Sequence, residues 1–261
     1  MNILSRLSSK KSSGNHVELF HWQPKSGAQN FGDHLSRVVV SRYLAGKERL
    51  LDETVSAQRR LLAIGSILHF ARDRDVVWGS GVNGKIDERK HQFRQLDVRA
   101  VRGPLTREYL LQRGIDVPEV YGDPALLLPT LFPTRFRPAP TREYAFVPNL
   151  HDLSVSTHGH DVISPLLPWQ TVVESILQCE FIISSSLHGL IVAEAYGIPA
   201  RYIRLSETEA MFKFEDYYQG TGRTGIPVAG SFAEARSSMD APSLSFNPQP
   251  LMDAFPIDLW S

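Results

Sequence analysis

The sequence predicts an α/β protein made of two Rossmann-like units, and three observations carry that prediction. Short apolar runs recur along the chain, each closed by a glycine- or serine-containing loop and followed by a stretch with helical periodicity. The recurrence breaks at residues 131–142, a segment with three prolines and three arginines, and then restarts. A chain of 261 residues is long for one compact domain and comfortable for two small ones.

Taken in order, Val17 to Phe20 opens an extended segment that runs into His21-Trp22. After the turn-rich stretch Pro24 to Gly32, Asp33 to Leu44 reads as a helix with Leu35, Val38, Val39 and Tyr43 on one side. Arg60 to Ile64 reads as a buried strand closed by Gly65-Ser66, and Ile67 to Phe70 as a short helical turn. Asp75 to Trp78 is a second buried strand, closed by Gly79-Ser80-Gly81, and Asp97 to Val101 a third, closed by Arg102-Gly103-Pro104. Thr106 to Gln112 reads as a helix with Gly114 just past its end. Val120-Tyr121 then enters Gly122-Asp123-Pro124.

Beyond the link, Tyr144 to Pro148 is a strand, Trp169 to Leu177 a helix, Phe181 to Ser184 a strand, Leu187 to Tyr196 a helix and Pro199 to Leu205 a strand. Strand, loop and helix in repetition argue for parallel sheets covered by helices, which bind ligands at the carboxyl ends of their strands. The predicted division is 15–138, 139–230 and a tail, 231–261, whose Phe255, Ile257, Leu259 and Trp260 would pack back on the first unit.

Composition narrows the function classes. Hydrophobic residues make up 42% and charged residues 21%, as in ordinary globular proteins. The formal net charge is zero, so no global field recruits nucleic acid, and anion recognition must come from local placement of Arg, Lys and backbone N–H groups. The single cysteine, Cys179, forms no internal disulfide and fits no zinc spacing; between Leu177 and Phe181 it reads as a buried thiol in a reducing compartment. No run reaches the length of a transmembrane helix and no secretory signal is evident, which predicts a cytoplasmic protein. Residues 1–14 carry Ile3, Leu4 and Leu7 at helical spacing beside Arg6, Lys10 and Lys11, a pattern shared by a basic helix on an anionic membrane surface and by a solvated tail.

The strongest local signal is Ser184-Ser185-Ser186-Leu187-His188-Gly189, where a buried strand ends in three serines at the mouth of a helix. Free N–H groups at a helix start, with small hydroxyls beside them, suit a phosphate, and His188 can donate a hydrogen bond or move a proton there. The plainer reading is a serine-rich cap and a core-facing histidine. Asp33 is either a helix N-cap or an acid/base, and Asp123 in Gly-Asp-Pro is by default a turn aspartate. His151, His158 and His160 with Asp152 and Asp161 match no metal spacing and read as a polar loop, so no metal is expected. Phe212, Phe214, Tyr217 and Tyr218 divide between core and sugar-stacking wall, with Tyr218 the more exposed.

The Ser-Leu-His-Gly run, followed by a helix and Gly197-Ile198-Pro199, resembles the polysaccharide pyruvyl transferase family, and more distantly the His-Gly helix start of GT-B glycosyltransferases. Further pieces match in order: Asn30-Phe31-Gly32-Asp33, Gly79-Ser80-Gly81, Val101-Arg102-Gly103-Pro104, Gly122-Asp123-Pro124-Ala125, Val147-Pro148-Asn149 and Lys213-Phe214-Glu215-Asp216-Tyr217-Tyr218. The resemblance spans roughly residues 17–225. It is closest to ketal pyruvyl transferases of the xanthan type, through Trp22-Gln23-Pro24-Lys25 and Trp78-Gly79-Ser80-Gly81-Val82-Asn83-Gly84-Lys85.

The resemblance implies a GT-B-like arrangement with the active site in the inter-domain cleft and phosphoenolpyruvate as co-substrate, with no cofactor. The acceptor would be a terminal mannose of a polyprenyl-diphosphate-linked repeat at the inner face of the membrane. His188 and Asp33 would be catalytic. Arg102, Ser184, Ser185, Ser186, Leu187, Gly189, Arg204 and Lys213 would hold the donor, with Lys85 a further candidate cation. Asn30, Asn149, Asp123 and Tyr218 would hold the acceptor. One position departs: Ser186 stands where many relatives have arginine, so the donor's cation must come from elsewhere, Arg102 first. The rival implied by the same fold is a sugar-nucleotide-dependent glycosyltransferase, although no ribose-binding carboxylate pattern is visible; a non-catalytic glycan-binding protein is a second rival.

Overall fold

The computed structural model describes residues 14–24, 27, 29–154, 160–206, 209–237 and 244–261. Its order is β1 (Glu18–Phe20), α1 (Phe31–Ala45), β2 (Arg60–Leu62), β3 (Asp75–Trp78), β4 (Leu96–Ala100), α2 (Pro104–Gln112), α3 (Leu128–Leu131), β5 (Arg142–Val147), α4 (Trp169–Leu177), β6 (Cys179–Ser184), α5 (Leu187–Ala195), β7 (Ala200–Ile203), α6 (Phe212–Gly220), β8 (Val228–Ala229), α7 (Phe232–Ser237) and α8 (Gln249–Asp253). The strands form two four-stranded sheets, β1-β2-β3-β4 and β5-β6-β7-β8, and every pairing is parallel. Residues 1–13, with the basic N-terminal pattern they carry, Lys25 and His158 lie outside the described residues.

Strand alternation sorts the side chains into layers. Leu61, Val76, Trp78 and Ala100 of the first sheet, and Ala145, Val147, Ile182, Ala200 and Tyr202 of the second, belong to one core. That core also takes Leu35 and Val39 of α1, Val172 and Ile176 of α4, Leu190 and Ile191 of α5, and Phe214 and Tyr217 of α6. The opposite face of the first sheet packs Leu62, Val77 and Val98 against Leu110 of α2. The opposite face of the second packs Phe146, Phe181 and Ile183 against Ala235 and Phe232 of α7. Both sheets therefore turn an apolar face inward onto a shared helical layer and have the other face covered as well, which is why the inner positions of their strands are apolar on both sides.

Three contacts tie the ends of the chain across this layer. Trp78 Nε1 donates to the Leu251 carbonyl at 2.8 Å, Tyr43 Oη donates to the Met252 carbonyl at 2.7 Å, and Phe255 stacks on Tyr43. Glu194 of α5 is buried and accepts from Nη1 and Nη2 of Arg223 and from the hydroxyls of Tyr217 and Tyr218. At the end of β4, the fully buried Arg102 pairs with the fully buried Asp216 of α6 (Nε–Oδ2 3.0 Å). Asp216 also accepts from the Thr106 backbone N–H and hydroxyl, so one carboxylate closes the start of α2 and anchors α6 upon it. Glycine makes this approach feasible: a Cβ at Gly103 or at Gly220 would collide with the backbone of the facing segment.

Candidate active site

The loops at the carboxyl ends of both sheets converge on a cavity of about 230 Å³. Trp22 follows β1, Asn30 and Asp33 open α1, and Ser66 follows β2. Asn83 and Lys85 follow β3, Asn149 and His151 follow β5, and Ser186, Leu187 and His188 follow β6. Glu209 and Lys213 at the start of α6 complete it. This is the edge at which parallel sheets place their ligands, because the crossover loops and helix N-termini gather there.

Two helix starts meet at the cavity. Asn30 caps α1, its Oδ1 accepting from the Gly32 N–H at 3.0 Å. Ser186 caps α5, its Oγ accepting from the Gly189 N–H at 3.4 Å. Between them Gly32 lies against the His188 ring so closely that a Cβ there would collide with it. The absence of a side chain at Gly32 lets α1 press on the imidazole and hold it between the two helices.

His188 has a carboxylate behind it. Its Nε2 lies 3.6 Å from Oδ2 of Asp123, which is fully buried. The other oxygen of Asp123 accepts from the Ala125 N–H, and Oδ2 makes no hydrogen bond within ordinary distance. A carboxylate facing one ring nitrogen orients the imidazole. Asp33 is largely buried beside these groups. Desolvation pushes its carboxyl up to about 6, against the pull of His188 and Lys213, with Asp123 adding to the rise. A carboxyl that titrates so near neutrality can give or take a proton under ordinary conditions.

The cations are lysines. Lys85 Nζ lies 2.8 Å from Oε2 of Glu209, and Lys213 is ion-paired to Oε1 of the same carboxylate. Burial lowers the pKa of Lys213, opposed by Glu209. Two lysines thus share one carboxylate on that wall.

Of the residues singled out in the sequence, the structure brings Asn30, Asp33, Lys85, Asn149, Ser186, Leu187, His188 and Lys213 into one cavity lining. Others go elsewhere. Arg102, the first-choice cation, is consumed by Asp216, the Val82 carbonyl and the Ser66 hydroxyl; it reaches the cavity only through Ser66. Tyr218, read as the more exposed aromatic, is fully buried against Glu194. Asp123, read as an acceptor ligand, stands behind His188 instead.

The Ser184 hydroxyl bonds within its own strand-end turn, with the Val147 carbonyl and the Ser186 backbone, and the Ser185 hydroxyl accepts from the Asn149 N–H. Gly189 packs onto Ser184 and Val147. Arg204 is bonded through its backbone N–H to Ala229 and does not line the cavity. His160 stacks on Phe232 and bonds Tyr144, away from His151; among the described residues no group of three metal-ligating side chains assembles.

Glu209 went unnoticed in the sequence reading. The signal available was its position four residues before Lys213, which fits an ion pair at the mouth of a helix.

A model of the polysaccharide pyruvyl transferase family matches residues 52–207. The chain is 28% identical over 220 residues to the succinoglycan biosynthesis protein ExoV of Rhizobium meliloti, covering 80% of this chain and 66% of that protein. It is 27% identical over 202 residues to an uncharacterised protein of Acanthamoeba polyphaga mimivirus, covering 72% of this chain and 69% of that one. The chain thus spans about two thirds of the length of these relatives. A functionally uncharacterised protein of Klebsiella pneumoniae superimposes with a TM-score of 0.47 at 11% identity, over 84% of this chain and 94% of its own.

Proposed function

The chain belongs to the polysaccharide pyruvyl transferase family, and on that premise we propose that it transfers pyruvate from phosphoenolpyruvate to a terminal sugar of an exopolysaccharide repeat carried on polyprenyl diphosphate. The sugar is mannose, and the product is a 4,6-linked ketal with release of phosphate. The two units act as in a GT-B arrangement, with chemistry in the cleft between them at the inner face of the membrane. The observation that carries this reading is the joining of two proton-transfer groups, His188 and Asp33, with two lysines in one cavity.

The balance of the reaction matches that set. One sugar hydroxyl adds to C2 of the donor while C3 takes a proton and becomes a methyl group. Phosphate then leaves, and the second hydroxyl closes the ring. One hydroxyl proton ends on the methyl carbon and the other on phosphate, so no water is consumed. His188, held against Asp123, is the acid that protonates C3. Asp33, ionised above about pH 6, is the base that takes the hydroxyl proton. Lys85, Lys213, the Ser186 hydroxyl and the α5 N-terminus hold the donor's phosphate and carboxylate. Trp22 and Phe70 offer aromatic faces to the sugar.

Purified protein incubated with phosphoenolpyruvate and a mannose-terminated lipid-linked acceptor should release phosphate only when both are present, with a product heavier by one ketal-linked pyruvate. No phosphate, with consumption of a nucleotide-sugar instead, would replace this reading by the glycosyltransferase one.

A further inference from the structure

Glu209 is out of place in a cavity read as binding an anion. It is a nearly buried carboxylate in the lining, gripped on one oxygen by Lys85 from the loop after β3 and on the other by Lys213 from α6. A carboxylate there weakens the field that would attract the donor, so it needs a reason.

The surroundings of Lys213 supply one. Its side chain is 14% exposed, and Lys85 and Arg102 both face it with positive charge. On the other side Asp33 of α1 lies within electrostatic reach, while Asp216, on the same helix, is committed to Arg102 and Thr106. Glu209 is the carboxylate that forms a direct ion pair with Lys213. Burial and two neighbouring cations all favour the neutral amine, and a neutral amine binds no anion.

We propose that Glu209 is a positioning residue: gripped by both cavity lysines, it aims them at the donor and keeps Lys213 charged within a buried wall. The inference rests on the donor reading above for the identity of the anion, but the charge state of Lys213 can be measured without any substrate. Competitive labelling of amines with acetic anhydride across pH, read by mass spectrometry, reports the titration of Lys213 in the whole protein.

In Glu209→Gln the labelling midpoint of Lys213 should fall. The KM for phosphoenolpyruvate should then begin to climb at a lower pH than in the wild type, by about tenfold for each pH unit above the midpoint, with kcat at saturation little changed. Glu209→Asp should restore part of the wild-type profile. Lys213→Arg in the Glu209→Gln background should flatten it, because guanidinium stays charged.

An unchanged midpoint in Glu209→Gln overturns the proposal, and so does a lowered midpoint with an unshifted KM profile. If the wild type never turns over phosphoenolpyruvate, the donor reading has failed. The labelling then decides alone: a lowered midpoint supports Glu209 as the keeper of the lysine's charge, and an unchanged one overturns it.

Discussion

Arg102 and Lys213 are neighbouring cations, each paired to a carboxylate at or near α6, yet their surroundings differ in kind. Arg102 is fully buried and its guanidinium is spent on Asp216, Ser66 and Val82. Lys213 shares its carboxylate with a second lysine and borders the cavity. A cation whose three nitrogens are all engaged by protein groups is part of the scaffold, and one with a shared partner at a cavity wall is available to a ligand. The same contrast separates Asp216, which bonds three groups, from Asp33, whose burial is uncompensated enough to raise its pKa.

The largest effect belongs to the scaffold side. Arg102→Ala strands Asp216 as a buried, unpaired charge, and should cost about 3–5 kcal/mol of stability in a denaturant titration. A loss below about 1 kcal/mol would move Arg102 out of the scaffold class.

On the cavity side, His188→Ala should lower turnover by about two to four orders of magnitude, the usual worth of a positioned acid or base. Circular dichroism and the unfolding midpoint should stay near wild type. Turnover within a few-fold of wild type would remove His188 from the chemistry.

The smallest effect sharpens the contrast by sign. Asp33 titrates near pH 6 when folded, against 3.8 for an ordinary aspartate. The folded state therefore holds the extra proton between those values, and stability falls as pH rises through that window. Asp33→Asn should be more stable than wild type by about 1–3 kcal/mol above pH 6, with the gain vanishing toward pH 4. It should also be slow, because the base is gone. Identical unfolding curves at both ends of that range would show that burial does not perturb Asp33.

Much of this was legible in sequence, and the boundary has a physical cause. Trp169–Leu177 and Asp75–Trp78 fall where apolar periodicity puts them. His188 was legible because strand end, serine cap and helix start are consecutive in the chain. Pairings made by docking one sheet's helices on the other were not. Arg102 meets Asp216 across 114 residues, and no local pattern distinguishes a strand-end arginine facing a ligand from one facing a buried aspartate. Asp123 looked like a turn aspartate, and it is one, through Oδ1; its second oxygen finds His188 only in three dimensions. Tyr218 was misplaced because its neighbours on α6 do not reveal Glu194 beneath it.

The shared core between the sheets has a consequence for biosynthesis. When only the residues up to Pro138 have left the ribosome, the first sheet is complete, but Leu35 and Val39 of α1 and the inner face of Trp78 await partners from α4, α5 and the C-terminal segment. The first half carries an apolar surface until α4, α5 and the segment around Leu251 follow to cover it, and apolar surface left open in that interval favours aggregation.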